Sequence, residues 1–231
     1  MPRTGIGKRY SSNNAILQFI RQNQEISQSS VFQGTLYEHT VMRELSEKLN
    51  MIHLKKVGGS HDRGVDIRGR WPLACLFGQV NKVVSLDNVP KRCKIHGIAL
   101  KPLRCKIDEN EGKLDPLNTL VQCKAFSGSK VSPREFRELV GTFASLVPDS
   151  QRNRSIIMMC SPNLLTRGGL SLINTVKVPL IYLRIEMLQQ IGNCYDVENS
   201  GRLLNYYEND YAATLLRGCG IKEWLKLSLY K

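Results

Sequence analysis

Two carboxylates, an amide and an ammonium group stand at Glu38, Asp66, Gln122 and Lys124. Glu38, Met42, Leu45 and Leu49 follow i, i+4, i+7, i+11 spacing, which places them within about 60° of one helical face. A carboxylate aimed at a core needs a cation or a metal beside it. The plainer reading is that Glu38 simply reaches solvent near the helix start. Glu44 and Glu47 fall on the far side of the same helix, where solvated acids belong. In a strand through residues 65 to 68, alternation turns Val65 and Ile67 one way and Asp66 and Arg68 the other. In "LVQCKAF", residues 120 to 126, Val121, Cys123 and Ala125 share one face, and Gln122 and Lys124 share the opposite one. An isolated QxK of this kind is most often a polar edge-strand face. Two carboxylates, an amide oxygen and the Cys123 carbonyl together make a hard oxygen set, suited to Mg²⁺ or Mn²⁺ rather than zinc. Such an ion polarises a phosphoryl oxygen and lowers the pKa of a bound water. A lysine nearby steadies the attacking hydroxide.

The elements that must position these groups follow from periodicity. Gln33 to Ile52 reads as a helix. The stretch "VGGSHDRGVDIRGRW" then supplies a glycine-rich turn, with Asp62 shaping it, and a short strand around Val65 to Arg68. Residues 71 to 117 form an insertion broken by Pro72, Pro90, Pro102 and Pro116, with β-prone pieces such as "QVNKVVSL" that would suit a hairpin. After the strand at 120 to 126, Ser132, Pro133 and Glu135 supply an N-cap, a first-turn proline and a capping-box acid. Phe136, Leu139, Val140 and Phe143 continue as an apolar stripe. "SIIMMCS" and "VPLIYLR" read as buried strands with a helix after Gly168 and Gly169 between them, which gives a β-α-β-α-β rhythm. Helical patterning returns beyond Glu186.

The chain of 231 residues carries 33 basic and 20 acidic side chains, a net charge of +13, and is 42% hydrophobic. That is enough for one core, and the spread of positive charge points to a polyanion. An anionic membrane surface is the alternative. No apolar run approaches the roughly 20 residues that span a bilayer, so no integral membrane segment is expected. Seven cysteines without a CxxC pair suit a reducing compartment, and the irregular set Cys75, Cys93, His96, Cys105 reads as ordinary thiols rather than a zinc site. The leader holds Arg3, Lys8, Arg9 and Arg21 with no acid before Glu25. It has the composition of a transit sequence, a bare basic arm being the alternative.

The order of a helical Glu, "HDRGVDIRG" and "VQCKAF", followed by "PREFRELVGTF", resembles the PD-(D/E)XK restriction-endonuclease-like superfamily in its Mrr form. The resemblance covers about residues 33 to 187. Within that superfamily the sequence looks most like the fungal mitochondrial Required for respiratory growth group, number seven. By resemblance the fold is α/β, a central mixed β-sheet flanked by helices with a basic insertion between the Asp strand and the Lys strand. Residues 1–30 would be a mitochondrial presequence or disordered basic arm. Residues 31–231 would form a single domain, with 71–117 inserted and 188–231 a C-terminal helical extension. The resemblance implies a catalytic set of Glu38, Asp66, Gln122 and Lys124, with the metal held by Asp66, Glu38, Gln122 and the Cys123 carbonyl. Gln122 stands where the commoner motif has an acid, which lowers the charge of the metal site. Lys91, Arg92, Lys94, Lys101, Arg104 and Lys106 of the insertion are candidates to track a phosphate backbone. The expected activity is Mg²⁺-dependent hydrolysis of nucleic acid, DNA ahead of RNA, in the mitochondrial matrix. The alternative is a nucleic-acid-binding protein without catalysis, and a homodimer is left open.

Overall fold

The structure is a computed structural model that describes residues 12–57, 64–86, 88–125 and 128–229. It opens with helices α1 (Ser12–Gln22) and α2 (Ser30–Lys48), then strands β1 (Ile52–Lys56) and β2 (Ile67–Trp71). Residues 72 to 116 contribute α3 (Leu73–Val80), the hairpin β3 (Cys93–Ile95) and β4 (Ile98–Leu100), and α4 (Leu103–Glu109). A β-α-β-α-β run follows: β5 (Leu117–Cys123), α5 (Pro133–Leu146), β6 (Ser155–Ser161), α6 (Arg167–Thr175) and β7 (Leu180–Ile185). The chain ends with the hairpin β8 (Gln189–Ile191) and β9 (Cys194–Asp196), then β10 (Leu203–Glu208), α7 (Asp210–Leu215) and α8 (Ile221–Leu229).

Six strands form one mixed sheet in the order β1-β2-β5-β6-β7-β10. β5, β6 and β7 are parallel, joined by helical crossovers, while β1, β2 and β10 pair antiparallel at the two edges. Each central strand is buried on both faces, which is why "SIIMMCS" reads as an unbroken apolar run. Ile156, Met158 and Cys160 enter a core built with α2, α3, α4, α7 and α8. Ile157 and Met159 enter a second core under α5 and α6.

The capping box at Ser132 and Glu135 starts α5 as expected, with Phe136, Leu139 and Phe143 buried. Other expectations are corrected. The helix expected at 33 to 52 ends at Lys48, because Ile52 to Lys56 leaves as an edge strand. The leader is not wholly apart from the fold: Ile16 of α1 is fully buried against Phe32 and Leu36 of α2. Residues 1–11 of the 1–30 expected as a presequence or basic arm, with Arg3, Lys8 and Arg9, lie outside the described residues.

"QVNKVVSL" makes no hairpin, since Gln79 and Val80 close α3. The hairpin is β3–β4, turned by His96 and Gly97, both at positive φ. The insertion is also more than a loop, for Leu73, Leu76, Val80, Leu103 and Ile107 are buried in the α2-side core. The C-terminal segment is not purely helical. β10 pairs with β7 and completes the sheet.

Candidate functional site

Asp66 stands at the entry to β2, and its backbone already joins the sheet. Its N–H donates to the Val121 carbonyl (2.9 Å), and its carbonyl accepts from Val57 N–H (2.8 Å). Because Ile67 pairs with Val121, the chain delivers Asp66 beside the end of β5, although 56 residues separate Asp66 from Gln122 in sequence. There its Oδ2 accepts from the Cys123 backbone N–H at 2.6 Å, a charge-assisted bond at the level of the strand backbone. Simple alternation does not hold at this point. Val65 packs in the α5-side core and Ile67 in the α2-side core, so the chain changes face across Asp66. Asp62 lies outside the described residues.

Glu38 is drawn to the same neighbourhood from α2. Its partner is Lys56, the last residue of β1, with Nζ 2.7 Å from Oε2. The two side chains keep 29% and 21% of their exposure, so the pair is half-buried, and the ammonium answers the carboxylate's need for a counter-charge. Lys56 is the residue that sequence reading missed. Its signal was weak, a lysine in the short charged stretch between the expected helix and the glycine-rich turn, to which no element was assigned. The same lysine acts on His39, whose pKa is lowered to about 4 by burial first and by Lys56 second. The Cys123 thiol is pushed well above its ordinary value by burial, then by Cys160, Asp66 and Glu38, while Lys56 opposes the shift. These groups therefore share one electrostatic environment.

Gln122 and Lys124 turn toward the α5 layer. Gln122 is buried, its amide lying against Gly64 and near Thr142 of α5. Its Oε1 has no hydrogen-bond partner among the described residues. Lys124 follows directly after β5, its N–H bonded to the Cys160 carbonyl at 2.8 Å. Burial would raise the Glu135 carboxyl, but bonds from Ser132 and the charge of Lys124 bring it below the usual range. Asp66 thus lies between Glu38 and Lys56 on one side of the sheet and Gln122 and Lys124 on the other.

Asp66, the Gln122 oxygen that has no hydrogen-bond partner among the described residues, and the Cys123 carbonyl are oxygen donors of the kind that suits a hard cation. Glu38 is committed to Lys56 and would have to exchange it. Among the described residues no three His, Cys, Asp or Glu side chains cluster as ligands. Any ion would therefore rely on amide and carbonyl oxygens beside Asp66.

The insertion's basic residues divide. Lys91, Arg92 and Lys94 are exposed. Lys101 is paired with Glu109, and Arg104 bonds Asp108 (2.7 Å) and stacks 3.9 Å over the Phe77 ring. Lys106 is half-buried, its pKa lowered by burial and then by Arg154 and Lys101. Lys101 and Arg104 are therefore already engaged within the protein.

Glu44, expected in solvent, is buried. It accepts from Arg43 Nε (3.0 Å) and from Leu203 N–H (2.9 Å). Arg43 in turn donates to the carbonyls of Val197, Ser200 and Gly201. The reason is a second cover on α2, the chain leading into β10, which the helical pattern alone does not reveal.

A mixed sheet between two helical layers, with an aspartate strand beside a QxK strand, defines an α/β protein of the architecture that the restriction-endonuclease-like resemblance implies. Residues 29–216 match the model of Required for respiratory growth protein 7, and the chain belongs to that family. It is 84% identical over 231 residues to the mitochondrial member from Zygosaccharomyces rouxii, covering 100% of this chain and 96% of that protein. It is 51% identical over 236 residues to the Saccharomyces cerevisiae member (100% and 97% covered) and 43% identical to that of Kluyveromyces lactis (94% and 92%). These relatives are all named mitochondrial, which bears out the mitochondrial address. Among solved structures, the MspJI restriction endonuclease in complex with a 27-mer oligonucleotide matches with 14% identity and a TM-score of 0.37. The match covers 100% of this chain and 39% of that one. No helix among the described residues is long and apolar enough to cross a membrane.

Proposed function

We propose that this protein is a metal-dependent phosphodiester hydrolase acting on nucleic acid, DNA ahead of RNA, in the mitochondrial matrix, where it supports respiratory growth. The observation that carries the reading is the Asp66–Cys123 bond, which sets a carboxylate against the strand end that bears Gln122 and Lys124. Mg²⁺ or Mn²⁺ would be held by Asp66, Gln122 Oε1 and the Cys123 carbonyl, with Glu38 joining on release of Lys56. When bound, the ion would polarise the phosphoryl oxygen and acidify a water. Lys124 would stabilise negative charge developing at the reacting phosphate. Cleavage of labelled duplex, single-stranded and branched DNA, and of RNA, with Mg²⁺, Mn²⁺ or EDTA tests this. Activity that persists in EDTA, or on no nucleic acid at all, counts against it.

The Glu38–Lys56 pair favours a second reading, a nucleic-acid-binding protein of the same fold without catalysis, since that pair removes a carboxylate from the ligand set. It leads to salt-sensitive binding that is indifferent to EDTA and to Asp66→Ala.

A further inference from the structure

The edge of the sheet beside Asp66 carries an arrangement that the packing of the protein does not explain. Lys55 of β1 stands directly opposite Arg68 of β2, and both side chains are exposed. Like charges facing each other across an antiparallel pair repel. Among the described residues neither is paired with a carboxylate, in a chain where Lys56, Lys101, Arg104 and Arg134 all are. Arg70 follows two residues on, half-buried and bonded through Nη1 to Asn118 Oδ1. Exposed His53 precedes, at a bulge in β1.

A lysine on an edge strand is a common guard against edge-to-edge pairing. That explains Lys55 and leaves Arg68 unexplained, because β2 is an interior strand flanked by β1 and β5. Leu120, the β5 neighbour of Arg68, packs in the α5-side core, so the Arg68 face of the sheet passes from buried to open within one strand spacing. The result is a cationic strip on the two strands at this edge of the sheet. Arg68 lies two residues, about 7 Å, along the strand from Asp66.

Resting on the nucleic-acid reading above, we infer that the β1–β2 ribbon seats a sugar-phosphate backbone, with Lys55 and Arg68 sharing a phosphate and Arg70 beside them. A bound phosphate turns the repulsion between the two cations into a common attraction, and it sets the next stretch of backbone at Asp66. Nucleic acid fits this ribbon better than a lipid surface, because the charges form a linear row that leads to the candidate strand ends. The insertion, whose Lys101 and Arg104 are engaged internally, is the lesser contributor.

The test uses the full chain in EDTA, so that binding is read apart from cleavage. Fluorescence anisotropy with labelled duplex and single-stranded oligonucleotides is followed across a fourfold range of salt. Co-sedimentation with phosphatidylcholine–cardiolipin vesicles is measured in parallel. The variants are Lys55→Ser/Arg68→Ser, the charge-keeping Arg68→Lys, and Lys91→Ser/Arg92→Ser in the insertion. Loss of the shared phosphate contact lowers the salt slope by about 0.9 on duplex and about 0.7 on single strands. Raising salt fourfold then costs the ribbon double variant about threefold less affinity than it costs the wild type. Arg68→Lys keeps the slope, and the thermal midpoint of the double variant at low salt is unchanged or higher, because repulsion has been relieved. Should the double variant fail to fold, Lys55→Ser alone gives half the change in slope. A slope altered by the insertion variant and not by the ribbon variant overturns the inference while the nucleic-acid reading stands. Loss of vesicle binding with nucleic-acid binding intact also overturns it, in favour of a membrane surface. A wild type that binds no nucleic acid overturns both.

Discussion

At the scale of single residues, Lys56 changes the account of Glu38 most. Sequence periodicity located Glu38 on the apolar stripe of α2 and asked for a counter-charge, and the counter-charge is an ammonium 2.7 Å away. Lys56→Met leaves Glu38 half-buried without its cation. Removing one partner of a half-buried pair should cost roughly 1–3 kcal/mol, below the range for a fully buried pair, and urea unfolding measures it. His39, held down at about 4 by burial and then by Lys56, gives a pH signature. Between pH 6.5 and about 4 the unfolded chain carries a proton on His39 that the native chain lacks. The contribution of neutral His39 is therefore complete above the unfolded value and is lost as pH falls toward the native one. His39→Leu should flatten the decline in denaturant midpoint over that window, and an unaltered decline would place its origin elsewhere. The QxK strand was legible because strand alternation is a local signal, and Asp66 because it follows a glycine-rich turn, although the alternation expected there with Val65 and Ile67 does not hold. Lys56 was not, because its meaning depends on a partner 18 residues earlier on another element.

At the scale of elements, the central β-α-β-α-β run was the most legible part of the chain. Continuous apolar strands and a full capping box around Ser132 are strong, short-range patterns. The edge strands were the least legible: three of the five residues of β1 are lysine or histidine, and β10 shows only its first residue buried. Their identity comes from pairing with β2 and β7, which no local window contains. The insertion's place in the core was likewise hidden, since Leu73, Leu76, Leu103 and Ile107 are scattered among prolines and basic residues. Two substitutions probe these joins. A side chain at Gly69 would meet Leu54 Cδ2 at 2.6 Å and Thr119 Oγ1 at 3.1 Å, so Gly69→Val should destabilise by about 1–3 kcal/mol as the β1–β2 pair shifts. Arg43→Met strips the buried Glu44 and three carbonyls of their donor, at a cost of about 3–5 kcal/mol. The same experiments, chemical unfolding with far-UV circular dichroism, read both. Stability close to wild type for Arg43→Met would show that the clamp between α2 and the approach to β10 is dispensable.

At the scale of the whole molecule, a net charge of +13 sits on a sheet whose two faces are both packed, so the charge is left to the edges, the insertion and the helix exteriors. That distribution suits a long polyanion crossing one end of the sheet. The candidate site lies at that end, where β2 begins beside the finish of β5, with Glu38 brought from α2 and Lys56 from the end of β1. Composition pointed toward a polyanion but to no route across the protein, because a route depends on which cations are already neutralised within it. The central claim is that Asp66 and Lys124 carry out metal-dependent cleavage. The direct measurement is cleavage of labelled DNA by wild type, Asp66→Ala and Lys124→Ala, each shown to be folded, in Mg²⁺ and in EDTA. The expected result is wild-type cleavage abolished by EDTA, with either substitution lowering the rate by about 10²-fold or more. Undiminished cleavage by both folded variants in Mg²⁺ would contradict the assignment.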